Sequence, residues 1–130
     1  MASSIRQDIT IAASASQIYR ALLDADQFGA FTNATAEIDA SPGGAFSGFG
    51  GAITGRNIEL IADRRIVQAW RVASWPEGYY SIVRFELEPS GAETKLTLHH
   101  TGFPEDAGDH LASGWHKMYW EPLKNYLRGS

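Results

Sequence analysis

Four histidines, four tryptophans and no cysteine frame the chemistry open to this chain of 130 residues. Without a thiol there is no disulfide, no thiolate nucleophile and no cysteine-based metal site. His100 stands out among the titratable groups. It closes the apolar row Leu96, Leu98, His100 of a strand-like run, while Lys95, Thr97 and His99 fall on the other side. An imidazole in that place is either a core group satisfied by a hydrogen bond or a pocket group that orients a polar ligand atom or serves as base. A protein-held metal is not expected. His99 and His100 point to opposite faces, and His110 and His116 would stand about 120° apart on a helix. Neither an HExxH pattern nor a carboxylate cluster accompanies them. No Ser/His/Asp triad and no carboxylate pair can be assembled from spacing, so no catalytic residue is assigned and no cofactor is expected.

The glycines Gly43, Gly44, Gly48, Gly50, Gly51 and Gly55 invite comparison with a phosphate-binding loop. The lysine of such loops is missing, and no helix start follows to hold an anion. Turns and bends of curved strands explain them better, and they could leave space beside a sheet.

The element that must position these groups is the stretch Gly114 to Leu127. Trp115, Met118, Tyr119, Leu123 and Tyr126 recur at the i, i+3, i+4 spacing of one helix face, with Pro122 in the same row. His116, Lys117, Glu121, Lys124 and Asn125 take the opposite side. Such a stripe has to lie on an apolar surface, each buried ring contributing roughly 1.5–3 kcal/mol. Pro122 lacks an N–H, leaves the Met118 carbonyl without its partner and predicts a kink. Trp120 falls off the stripe: either a loop or the chain start covers it, or it contacts a partner.

Upstream, Ile5, Ile9 and Ile11 alternate with polar residues as in a half-buried strand, Gln7 standing in their row. Ser14 to Gln17 has the capping-box pattern of a helix start, with Ile18, Ala21 and Leu22 as its apolar face. Asp24 to Phe31 predicts a second short helix with Phe28 and Phe31 inward. From Ala34 the period changes to two. Strands are expected over 36–38, 45–50, 53–61, 65–75, 79–87 and 94–101, joined by short turns into an antiparallel meander. Ile66, Gln68, Trp70 and Val72 share one face, as do Val83, Phe85 and Leu87, provided that no bulge intervenes. The order is β-α-α-β6-α in an α+β fold: one domain over residues 1–130, with 128–130 reading as a cloning remnant.

At 44% hydrophobic, 20% charged and net charge −4, the composition fits one globular domain. Absence of basic clusters argues against nucleic acid. No apolar run is long enough for a membrane span, and the start carries no signal-peptide core. The expected compartment is the cytoplasm, the expected state a monomer or weak dimer.

The segments QIYRALLDADQFGAFT, GGAFSGF, ITGRNIELIADRRIVQAWR, SWPEGYYSIVRFEL, TKLTLHHTGFP and the closing GW…YWE resemble the family of activators of the heat-shock protein 90 ATPase. The likeness is to their C-terminal domain, within the START-like, or SRPBCC, superfamily of helix-grip folds, and it runs from about Ile5 to Leu127. Its most specific parts are Arg65 to Tyr80 and the pair Gly114-Trp115. It implies a curved antiparallel sheet wrapped around the C-terminal helix, with a cavity between them. Carried onto this chain, the lining would be Phe28, Phe31, Phe46, Phe49, Trp70, Phe85, Leu98, His100, Trp115 and Tyr119. The alternative is that those rings fill the space themselves. In the eukaryotic co-chaperones a separate N-terminal domain precedes this one, and a chain of this length looks like the stand-alone bacterial members.

Three functions follow as expectations. The leading one is non-enzymatic binding of a small hydrophobic or aromatic molecule, with Trp70, Trp115 and Tyr119 as walls and His100 as polar anchor. The second is a co-chaperone-like module acting on a chaperone ATPase through Trp75, Tyr79 and Trp120. The third is a cyclase- or hydrolase-like enzyme using the same cavity, with His100 as base.

Overall fold

The capping box forms as the sequence expects: the Ser14 hydroxyl accepts from the Gln17 N–H at 3.1 Å, and the Gln17 side chain accepts from the Ser14 N–H at 3.0 Å. It starts α1 (Ala15–Leu23), which buries Ile18, Ala21 and Leu22. Asp24 then ends α1 and caps α2 (Ala25–Thr32), whose Phe28 and Phe31 turn inward. The computed structural model describes residues 4–128; Gly129 and Ser130 of the expected remnant lie outside the described residues, whereas Arg128 ends the last helix.

Seven strands make one antiparallel sheet: β1 (Ser4–Ile11), β2 (Glu37–Ile38), β3 (Ala45–Gly48), β4 (Ile53–Ile61), β5 (Arg65–Val72), β6 (Ser81–Ser90) and β7 (Glu93–Thr101). Their order is β1-β7-β6-β5-β4-β3-β2, so the meander runs sequentially and the first strand closes on the last. Alternation places the core as expected in β5, β6 and β7, where Ile66, Trp70, Val83, Phe85, Leu87, Leu96, Leu98 and His100 are all buried. Two glycines let rings approach the sheet backbone closely. A Cβ on Gly55 would meet the Ala69 carbonyl and the Phe46 ring, and one on Gly48 would meet Phe28. These glycines make the room that neighbouring rings occupy.

Several strand limits differ from expectation, β6 among them running on to Ser90. Phe49 to Gly51 forms a 3-10 turn, with Phe49 and Gly50 at positive φ, and not the end of β3. β5 stops at Val72, because the backbone turns at Ser74 and Trp75 and the Trp75 N–H bonds the Val72 carbonyl at 3.0 Å. β6 starts at Ser81, which leaves Tyr79 and Tyr80 in the loop. A bulge also sits in β4: the register slips between Asn57 and Glu59, and Ile58 is turned out to solvent.

The C-terminal helix runs as α3 (Gly108–Gly114), a π segment (Trp115–Trp120) and α4 (Glu121–Arg128). In the π segment the Glu121 N–H bonds the His116 carbonyl, five residues back. Pro122, with no N–H to give, follows directly, and the kink expected from it takes this form. Widening the turn brings the residue five positions beyond Trp115 onto its face and moves the one three positions beyond off it. Trp120 is accordingly buried at 1% exposure and Met118 exposed at 48%, reversing the expected stripe.

Candidate functional site

His100 lies in the core at 0% exposure, placed there by its register opposite Val83 on β6. Its Nδ1 accepts a hydrogen bond from the Trp115 indole N–H at 3.1 Å. An indole nitrogen can only donate, so the imidazole proton must sit on Nε2. From there it is donated to the Ser81 hydroxyl at 2.7 Å, and Ser81 donates in turn to the Trp70 carbonyl at 3.0 Å. Burial holds the imidazole pKa down at about 3, so it is neutral at physiological pH. Both nitrogens are taken by protein. The expected roles of polar anchor and of general base are therefore corrected: no lone pair is left for a ligand or a substrate proton.

The rings expected to wall a cavity come together, but largely on each other. Phe28 meets Phe31 at 5.0 Å and Tyr119 at 5.7 Å between ring centroids. Trp115 lies 4.3 Å from Tyr119 and stacks on Trp70 at 5.5 Å. Phe28, Phe46, Phe85 and Tyr119 enclose a void of about 10 Å³, room for one water at most. Leu98 and His100 are packed core, and Phe31 borders a separate surface hollow with Lys117, Pro122 and Tyr126, away from the sheet.

Open space occurs instead to one side. Between the end of the sheet at β4 and β5, the 3-10 turn, α3 and the π segment lies a cleft of about 440 Å³. Four of the expected wall residues border it: Phe49, Trp70, Trp115 and Tyr119. Trp75 joins them, and Met118 forms an exposed edge because the π turn has rotated it there. Asp106, in a 3-10 turn just before α3, and His110, in α3, supply the polar rim. Ala52, Ile53, Val72 and Leu111 also border the cleft and were absent from the expected set; their signal was apolar character next to the glycine turn and in the helix N-terminal to Gly114.

Two polar atoms in this wall matter chemically. The Trp70 indole N–H is buried and finds no acceptor at hydrogen-bonding geometry. The Tyr119 oxygen senses it: burial raises the phenol pKa, and the Trp70 N–H opposes that rise without closing a proper hydrogen bond.

Trp120, expected either under the chain start or at a partner, is covered by β1. Its indole donates to Gln7 Oε1 at 2.7 Å, and Gln7 Nε2 donates to the Ala112 carbonyl at 3.0 Å. Its ring offers no surface to another protein. The other two residues expected at a partner behave differently. Trp75 is half-buried, meeting Tyr79 edge-on at 5.7 Å and Trp70 at 5.9 Å. Tyr79 and Tyr80 are exposed. Arg71 steadies this loop by donating to the Trp75 carbonyl at 2.6 Å and the Pro76 carbonyl at 3.1 Å.

Comparison with known proteins assigns the family. The sequence profile described as "Activator of Hsp90 ATPase homolog 1-like protein" matches residues 12–128. The chain belongs to that family. Among its relatives, the human "Activator of 90 kDa heat shock protein ATPase homolog 1" is 30% identical over 115 residues, covering 88% of this chain and 34% of that protein. The mouse homolog 2 of the same activator is 33% identical over 97 residues, 75% of this chain and 29% of that protein. The chain thus spans about a third of the length of these curated relatives. The crystal structure of PFC0360w, an HSP90 activator from Plasmodium falciparum, superposes with TM-score 0.90 at 26% identity, covering 96% of each chain. A curved sheet with its C-terminal helix is the helix-grip fold of this family. No helix among the described residues is long and apolar enough to cross a membrane.

Proposed function

We propose that this chain is a non-enzymatic, cytoplasmic binding domain that takes a small apolar or aromatic molecule into the cleft beside the π segment. One observation carries the reading: an apolar cleft of about 440 Å³ walled by Trp70, Trp75, Trp115 and Tyr119, within the roughly 300–1,000 Å³ usual for small-molecule sites. The completed polar chain through His100 takes up the base that the sequence suggested, which supports binding over turnover. Screening a panel of apolar and aromatic compounds by thermal unfolding tests this. A ligand at 100 times its dissociation constant adds about 2.7 kcal/mol of stability, and Trp75→Ala or Met118→Ala weakens that ligand. A panel that leaves the unfolding midpoint where it was removes the proposal.

Family membership favours a second reading, in which the domain docks on an Hsp90-type chaperone ATPase. The exposed Tyr79 and Tyr80, on a loop pinned by Arg71, form the aromatic surface for it. Titrating the domain into such an ATPase should raise its turnover, and the double change Tyr79→Ala, Tyr80→Ala should abolish the rise while leaving cleft ligands bound. An unchanged turnover rate refutes docking by this domain.

A further inference from the structure

The outer face of the sheet, turned away from the helices, carries a pattern that the cleft does not use. Alternation decides which side chains stand there. Ile66, Gln68 and Trp70 of β5 are buried inward, so Arg65, Val67, Ala69 and Arg71 point out. Register then sets Ala69 beside Ile82 of β6, and Arg65 beside Ile61 of β4. The bulge in β4 adds Ile58 to this face, as the extra residue where Glu59 pairs with Val67. At the other end Arg71 holds its guanidinium 6.0 Å from the centre of the Tyr80 ring. Six large apolar side chains are left exposed among the described residues, and four of them, Ile58, Ile61, Tyr80 and Ile82, share this diagonal band. An isolated exposed isoleucine needs no explanation, whereas a contiguous row marks an interaction surface.

Charge decides what fits. Arg56 stands opposite Ala69, Arg65 opposite Ile61 and Arg84 opposite Val67, with Arg71 at the Tyr80 end. Two glutamates are interleaved, Glu59 and Glu86, and both lie on Arg65, at 3.2 and 3.3 Å. Arg56 and Arg71 donate to the carbonyls of Gly43, Trp75 and Pro76 and to no carboxylate among the described residues. Their charges are held in place but not neutralised. The band is therefore basic on a chain of net charge −4. A second copy of it would set arginine against arginine, and a uniformly anionic lipid or nucleic-acid surface would meet Glu59 and Glu86 with like charge. An extended segment laid across it would find no strand edge, since β4, β5 and β6 are each paired on both sides. A helix satisfies its own backbone.

We propose that this band docks an amphipathic helix of another protein, one whose apolar stripe is bordered by Asp and Glu. From Ile61 to Tyr80 the band measures about 22 Å, the length of about 15 helical residues. The inference is independent of both readings above, because the cleft opens on the inner side of the sheet and no particular partner is assumed.

Two synthetic helical peptides of about 20 residues test it. Both carry leucines at i, i+3, i+4 and i+7; one borders them with glutamate, the other with lysine. In calorimetric titration of the full chain the glutamate peptide should bind about tenfold more tightly, an advantage that added salt reduces. In an ¹H–¹⁵N spectrum it should shift outward-facing residues of β4, β5 and β6 and leave the Trp115 and Trp120 indole signals still. Ile58→Ser with Ile82→Ser should weaken it about tenfold without moving the unfolding midpoint, since both side chains are exposed. Arg56→Glu with Arg84→Glu should reverse the preference between the peptides. Equal affinities, no binding of either peptide, or shifts confined to the cleft overturn the proposal. So do phosphatidylserine vesicles or duplex DNA that shift the same signals as strongly, for the face would then read charge alone.

Discussion

A single proton placement organises the centre of this molecule. Because an indole can only donate, Trp115 dictates that His100 carries its hydrogen on Nε2, and the run from indole to imidazole to Ser81 hydroxyl to the Trp70 carbonyl closes without a spare valence. A consequence appears on titration. With the folded pKa near 3 and the unfolded value near 6.5, the unfolded chain binds the extra proton between those limits, so stability falls as pH falls through that window and is unaffected above it. From pH 6.5 to pH 5 the loss from this group should be about 2 kcal/mol, at about 1.4 kcal/mol per pH unit. Urea unfolding at the two pH values measures it. His100→Asn should be less stable at pH 7 and should lack this part of the slope; an undiminished slope in the variant would place the sensitivity elsewhere. The sequence marked His100 as inward-facing, through strand phase alone. Ser81 fell in the expected strand 79–87, in phase with Val83, but its pairing with His100 depends on the register between β6 and β7, which the sequence does not give.

At the level of the element, the C-terminal helix shows how one local defect redistributes roles. Counting by the α period puts Met118 inside and Trp120 outside. The π segment ahead of Pro122 reverses the pair, delivering Trp120 to β1 and Met118 to the cleft edge. Stability should therefore respond to the residue that the simple period would dismiss. Trp120→Ala should cost about 3–5 kcal/mol, as for large aromatic deletions in cores, whereas Met118→Ala should stay within about 0.5 kcal/mol. Chemical denaturation of the two variants decides it, and a larger loss for Met118 would mean that the helix keeps an α register in solution. The proline was legible, and with it a disturbance of the helix. Its outcome was not, since a prolyl residue removes one donor without specifying whether the turn bends or widens.

For the molecule as a whole, the pairing of the first strand with the last matters most. β1 pairs with β7 along its length, from Ser4 opposite Thr101 to Ile11 opposite Thr94. It also carries Gln7, which ties Trp120 and the Ala112 carbonyl to the sheet. A variant beginning at residue 12 would expose the β7 edge and strand the Trp120 indole in the core without an acceptor. It should lose the cooperative unfolding transition of the intact chain and associate, seen by light scattering together with circular dichroism. Retention of a sharp monomeric transition would show that β1 is dispensable.

What could be known from the chain alone was whatever depends on neighbours in sequence. The capping box at Ser14, the two-residue alternation of β5 to β7 and the inward side of Phe28, Phe31, Trp70 and Phe85 all follow from order and period, and the family was legible through the resemblance of whole segments. The cleft does not. Its position depends on where β5 gives way to the Trp75 turn, on how Gly48 and Gly55 admit rings that fill the expected cavity, and on a widened helical turn that rotates Met118 outward. Each of those is settled by contacts between residues far apart in the chain, where packing volume and not periodicity determines which space is filled and which stays open.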